Sequence, residues 1–176
     1  MIPVRELSID PGIGKTNGTG WGEWQPKLNR PGMALVGAGL ARLPAEATTD
    51  LDMRAGFIIG QLRHPSYVRL IYMEHMQIYP GQRQKGDQND LLSVAFLEGA
   101  IAQHYARAVL YKPREWKGQV PEKTLNRRIE KRLDAQELKV FRECLSKIPP
   151  HLHHNVYDAT GVGLNAYGRL HTRVGG

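Results

Sequence analysis

Apolar and polar positions alternate in short runs through the first half of the chain and recur at three- and four-residue steps through much of the second. Val4, Leu7 and Ile9 form an apolar-alternating run over residues 3–10, which stops abruptly at Asp10-Pro11-Gly12. Such alternation predicts a strand, and Pro-Gly predicts a tight exit from it. A turn rich in Gly, Thr and Asn over 12–20 leads to a second strand at 19–24, paired with the first as a hairpin. Pro26 and Pro31 close that region, and residues 34–41 read as a short apolar third strand.

Thr48, Thr49 and Asp50 supply capping groups for a helix that should run to Leu62 or Arg63, where His64-Pro65 stops it. Residues 67–74 are dense in β-branched and aromatic side chains and predict a fourth strand, again ending on an acid, Glu74. After a polar loop at 81–87, Leu91, Val94, Ala95, Glu98, Ile101, Ala102 and Tyr105 recur at helical spacing and predict a helix over 87–107. A short fifth strand at 108–111 leaves through Pro113. Two further helices are expected at 121–131 and 135–145, then a hard break at Pro149-Pro150 and a last helix over 153–170. Gly161, Gly163 and Gly168 weaken that helix by about 1 kcal/mol each, which makes sense if it lies close against the sheet. This order of elements implies one α/β domain over residues 1–176, a mixed sheet with helices on both faces.

Composition narrows the class. At 176 residues and 41% hydrophobic, the chain can bury a normal core. No run approaches the roughly 18 apolar residues of a membrane span, and residues 1–4 lack a signal-peptide layout. Cys144 is the single cysteine, which excludes an intrachain disulfide framework and fits a reducing cytoplasm. The formal charge is +7, and between Lys112 and Arg132 eight basic residues stand against three acids, a local excess of five. A field concentrated in this way suits a polyanion such as nucleic acid; a solvated helix face with Glu–Lys pairs is the other reading.

Three acids now share a structural position. Asp10 and Glu74 end strands, and Asp158 lies in the first turns of the last helix. If strands one and four are neighbours, Asp10 and Glu74 come together. Mg²⁺ takes hard oxygen ligands, and a two-metal site clamps the attacking and leaving oxygens of a phosphodiester. His154 and Asn155 precede Asp158 by four and three residues, on the same helix face. Each is a candidate further ligand or water-positioning group, against a surface histidine pair (His153-His154) and an N-cap asparagine.

Ile9-Asp10-Pro11-Gly12 followed by Thr19-Gly20-Trp21-Gly22 resembles the opening hairpin of RuvC-type Holliday junction resolvases, within the RNase H-like nucleases. Glu74 after Leu70-Ile71-Tyr72-Met73 resembles their second acid. Residues 111–117 resemble their fifth-strand exit, Glu122-Lys123 a second lysine position, and Tyr157-Asp158-Ala159 with Gly161 and Gly163 their last acidic helix. The ordered set spans nearly the whole chain. A phage or plasmid version of the resolvase would fit the divergence. The family usually places an acid or histidine where this chain has Asn155, and His154 is the candidate substitute.

The resemblance implies an RNase H-like mixed five-stranded sheet whose first three strands are antiparallel, with helices on both faces. It implies a metal-dependent endonuclease that resolves four-way DNA junctions as a homodimer, with two Mg²⁺ or Mn²⁺ ions per site. Asp10, Glu74 and Asp158 would hold the metal, with Asn155 or His154 in support. Lys117 would offset charge on the phosphate, unless it is only a loop lysine. Lys112, Arg114, Lys117, Lys123, Arg127 and Arg128 would bind DNA. Trp116 would stack on an unpaired base, or else anchor its strand in the core. The helix from Asp90 is a candidate dimer seam. Flaps, forks and RNA–DNA hybrids are alternative substrates, and a non-catalytic nucleic-acid module is a further alternative. A nucleotide-binding switch is disfavoured: Gly14-Lys15-Thr16 resembles the tail of a phosphate loop, but the glycine required five residues earlier is Ile9.

Overall fold

Strand β1 (Arg5–Asp10) sits at the centre of a five-stranded sheet of order β3-β2-β1-β4-β5. Its neighbours are β2 (Thr19–Pro26), antiparallel, and β4 (Val68–Glu74), parallel. β3 (Met33–Ala41) pairs antiparallel with β2, and β5 (Ala108–Tyr111) pairs parallel with β4. A computed structural model describes residues 5–14, 16–28, 31–46, 49–77 and 88–171. The expected start of strand one at residues 3–4, the capping Thr48, Lys15 and the polar loop at 81–87 lie outside them. The sheet has the mixed order and antiparallel first three strands expected for an RNase H-like fold.

Side-chain alternation along β1 divides the molecule into two cores. Leu7 and Ile9 point to one face, where Ile71 and Met73 of β4 join them beneath α1 (Leu51–Gly60) and α2 (Gln88–Tyr105). Ala55, Ile58, Leu97, Ile101 and Tyr105 fill this layer. Asp50 caps α1, its carboxylate accepting the Met53 N–H at 3.0 Å.

On the opposite face Trp24 and Leu35 pack beneath α4 (Glu122–Arg132), α5 (Ala135–Leu145) and α6 (His153–Ala166). α6 crosses the sheet at very close range, as its glycines suggested. A Cβ on Gly163 would lie 2.4 Å from the Trp24 ring, and one on Gly20 of β2 would lie 2.0 Å from the Asn155 carbonyl oxygen. α6 stops at Ala166 rather than running to residue 170. Gly168 adopts φ +66°, and the chain turns back so that the N–H groups of Arg169 and Leu170 bond the Leu164 carbonyl.

Among the described residues one α-helix was not anticipated. The exit from β5 curls into a single-turn helix, α3 (Pro113–Trp116). Pro113 suits its first position, and the Glu115 carboxylate accepts the Lys112 N–H at 2.8 Å. Gly118, at φ +60°, ends the turn. Among the described residues no helix is long and apolar enough to cross a membrane.

Candidate metal centre and nucleic-acid surface

The parallel pairing of β1 and β4 sets Ile9 opposite Met73, so that Asp10 and Glu74 leave the sheet side by side at the same end. Both point to the face covered by α6, because they are one residue beyond the inward-facing Ile9 and Met73 of the other core. The close approach of α6 at Gly20, the cross-strand partner of Asp10, brings Asp158 over them. One carboxylate oxygen from each of Asp10, Glu74 and Asp158 lies within 4.8 Å of the others. An open cavity of about 220 Å³ reaches Asp10 and Glu74 between Pro11, Leu91, Val94 and Pro113.

Among the described residues a single cation serves this cluster. Lys117 Nζ lies 2.8 Å from Asp158 Oδ2 and 3.1 Å from Glu74 Oε2. The turn of α3 delivers it together with Trp116, whose indole N–H donates to Glu74 Oε2 at 2.8 Å. Burial first, then the charges of Glu74 and Asp158, push the Asp10 carboxyl well above its ordinary range, with Lys117 pulling the other way. Burial raises Glu74 as well; Lys117 opposes this and Asp158 adds to it. Burial works against the Lys117 ammonium, but Glu74 and Asp158 outweigh it and hold its pKa above the usual range. Three carboxyl groups thus crowd round one lysine among the described residues, and burial and mutual repulsion oppose the ionisation of Asp10 and Glu74. The cluster's donors are hard carboxylate oxygens that converge on one point, which fits a divalent cation such as Mg²⁺ or Mn²⁺.

The remaining sequence candidates divide. Asn155 is buried at the start of α6, its amide directed at the Leu152 carbonyl at 3.4 Å, on the helix face that carries Asp158. His154 is not brought into the group: its Nδ1 lies 3.0 Å from the His151 carbonyl oxygen, folded back on the preceding turn. His153 does the same, its Nε2 lying 2.8 Å from the Ile148 carbonyl oxygen. Trp116 requires a correction. It is 0% exposed and wedged against Gly161 of α6, so it has no free face on which to stack a base. Its work is to orient Glu74.

Sequence reasoning missed Glu98. This buried α2 carboxylate accepts the Met76 N–H at 3.1 Å and contacts His75 Nδ1 at 2.6 Å. It anchors the two residues that follow Glu74. The only sequence signal was an acid on the apolar stripe of a helix, at a position expected to face the core.

The basic run forms an outer face. Leu125 and Ile129 turn α4 inward, leaving Lys123, Arg127 and Lys131 exposed. Thr124, Arg127, Arg128, Lys131 and Arg132 line a surface cavity of about 230 Å³. Glu130 does not neutralise this face, because it is held by the Tyr157 hydroxyl and by Arg142. Arg114 is exposed and Lys112 half-buried, both flanking α3.

No protein-family model matches the chain, and no curated protein matches it in sequence. Solved structures do match it in shape. RuvC of Thermus thermophilus superposes with a TM-score of 0.54 at 17% identity, over 92% of each chain. The fowlpox virus Holliday junction resolvase gives 0.54 at 11% identity, over 93% of this chain and 96% of that one. The yeast mitochondrial Holliday junction resolvase gives 0.62 at 16% identity, over 91% of this chain and 76% of that one. The fold of this chain is that of the RuvC-type resolvases.

Proposed function

We propose that the chain is a metal-dependent endonuclease that cuts branched DNA, with four-way junctions as its principal substrate. The observation that carries this reading is the convergence of Asp10, Glu74 and Asp158 on one point beside Lys117. The shared fold supports the choice of substrate, since a Thermus RuvC of the same architecture is solved with a Holliday junction substrate.

Asp10, Glu74 and Asp158 would hold Mg²⁺ or Mn²⁺, two ions per site, with Asn155 as the further candidate ligand on α6. Metal there would supply a water activated for attack on phosphorus and charge stabilisation for the departing 3′ oxygen. Trp116 keeps Glu74 in position through its indole N–H. Lys117 stands at the rim of the cluster, where its ammonium can offset charge developing on the phosphate. Lys112, Arg114, Lys123, Arg127 and Arg128 would hold the sugar–phosphate backbone leading to the cut. His154 would act only as a backbone-anchored neighbour of Asp158.

Paired incision of a symmetric junction calls for a homodimer. The outer face of α2 supports such a seam: Leu92 and Phe96 are 61% and 41% exposed, and α1, which packs against α2, exposes Met53 and Phe57 at 65% and 49%.

The test is a cleavage panel of junction, flap, fork, duplex and RNA–DNA hybrid with Mg²⁺ and with Mn²⁺. Fastest cutting of the junction, lost in Asp10→Asn while binding persists, is the expected result. Equal cutting of flaps or hybrids would reassign the substrate. Full activity in Asp10→Asn would remove the proposed site.

A further inference from the structure

Beside the acid cluster lies a second cavity, of about 330 Å³, between the β1–β2 loop, α1 and the first turns of α2. Ile13, Gly14, Thr16 and Asn17 form one wall, Arg54 another, and Asp90, Ser93 and Val94 the third. Val94 lines both this cavity and the one over Asp10 and Glu74, so the two open side by side. The wall begins three residues after Asp10.

Arg54 is the unusual member. Its Nη2 donates to the Ile13 carbonyl oxygen, which fixes the guanidinium against the loop. Its Nε–H is buried and has no hydrogen-bond partner. The residue as a whole is half-buried, and no carboxylate among the described residues pairs with it. Asn17, whose Oδ1 accepts the Gly18 N–H at 2.9 Å, and the exposed Thr16 also line this space. Asp90 is the one acid among the described residues of the lining. It is exposed, lies in the first turn of α2, and makes no ion pair with Arg54.

A half-buried guanidinium, fixed through Nη2 and lining the cavity with no paired carboxylate among the described residues, matches the oxygens of a phosphodiester. We infer that this cavity takes a backbone phosphate of the DNA strand flanking the one cut at the acid cluster, with Arg54 as its principal contact. The inference rests on the nuclease reading for which strand is bound. It adds a site on the α1–α2 side of the acids, opposite the basic face of α4. A strand gripped on both sides of the cluster has its scissile phosphate located before any bond is broken.

The experiment measures binding of a labelled four-way junction to the full chain in EDTA, across a range of KCl concentrations. Variants are Arg54→Gln, Arg54→Lys and Asp90→Asn, and Mn²⁺ affinity is measured for each by calorimetry. We expect Arg54→Gln to weaken binding about tenfold and to reduce the salt slope by about one. Arg54→Lys should keep the slope, and Asp90→Asn should tighten binding about twofold. Mn²⁺ affinity should stay unchanged in all three. A scan of single methylphosphonates along the strand then identifies the phosphate whose neutralisation weakens the native chain and leaves Arg54→Gln indifferent.

An unchanged slope in Arg54→Gln overturns the inference. So does a parallel loss of Mn²⁺ affinity, or an Arg54→Lys variant as weak as Arg54→Gln, since either makes Arg54 a tether for the loop and nothing more. A native chain that cuts no branched DNA but loses one unit of slope in Arg54→Gln keeps the phosphate site and loses the nuclease reading. A native chain that binds no DNA loses both.

Discussion

Two sets of carboxylates in this molecule, one buried and one half-buried, meet opposite fates. Glu137 of α5 is 1% exposed, yet its pKa is lowered. Burial works against it, but Arg169 grips both oxygens, at 2.8 and 2.6 Å, and the N–H groups of Asp134 and Leu35 complete the shell. Glu23 and Glu6 are treated alike: Glu23 is paired with Arg5 and Arg63, and Glu6 with Arg69 and the Tyr167 hydroxyl. Each of these acids has cations or donors of its own and ties two elements together. Among the described residues Asp10, Glu74 and Asp158 share one lysine among three, and Asp10 and Glu74 are both raised. Acids with private partners serve the fold. Acids left in mutual repulsion at the end of a sheet are arranged to receive positive charge from outside.

Exchange of function for stability separates the two sets most strongly. Asp10→Asn should lower Mg²⁺-dependent junction cleavage by at least about 10³-fold while the folded protein still binds the junction, read by single-turnover kinetics. Glu137→Ala should leave the cleavage rate of folded protein near native but destabilise the chain by about 3 kcal/mol, read as a lower urea midpoint with an unchanged slope. A catalytic defect in the Glu137 variant, without loss of stability, would dissolve the distinction.

Trp116→Phe tests the boundary between the sets, since the indole serves both the core and Glu74. It keeps most of the buried ring and removes the N–H. Mn²⁺ affinity should fall about tenfold by calorimetry, with the melting temperature changed far less. A large melting shift with native metal affinity would place Trp116 wholly on the structural side.

The pH dependence of stability should also have opposite signs in the two sets. A raised folded-state pKa at Asp10 contributes stability that is complete below the ordinary carboxylate range and is lost as pH rises through the folded value. A lowered one at Glu137 contributes stability that is present above that range and is lost as pH falls. Metal-free Asp10→Asn should therefore melt a few degrees above the native chain at pH 7, with the gap closing near pH 4. Saturating Mg²⁺ should reverse the order at pH 7. A gap that is constant with pH would show that Asp10 bears no unusual charge strain.

How far this was legible beforehand depended on the kind of signal. Strand alternation broken by Asp10-Pro11-Gly12, and the β-branched run ending at Glu74, are local patterns, and both strands form where those patterns end. The last helix was visible too, and its glycines foretold a close approach, realised at Gly163 on Trp24 and Gly161 on Trp116. What escaped depends on partners distant in sequence. Nothing local distinguishes Trp116 as a core residue from Trp116 as an exposed platform; only the packing of α6 does so. Lys117 could be read as a loop lysine until the α3 turn placed it between Glu74 and Asp158. Arg54 and Glu98 sit on helices like many surface residues, and their roles come from the loops they meet. His154 shares the helical spacing of a ligand, but the 3₁₀ turn at Pro150–Leu152 draws its ring onto the His151 carbonyl.

The most direct measurement is anomalous diffraction from a crystal of the native chain equilibrated with Mn²⁺. We predict manganese density coordinated by Asp10, Glu74 and Asp158 at about 2.2 Å, with the Lys117 ammonium displaced from its present contact with Asp158. Manganese found elsewhere on the chain, with Lys117 still bridging Glu74 and Asp158, would contradict the account.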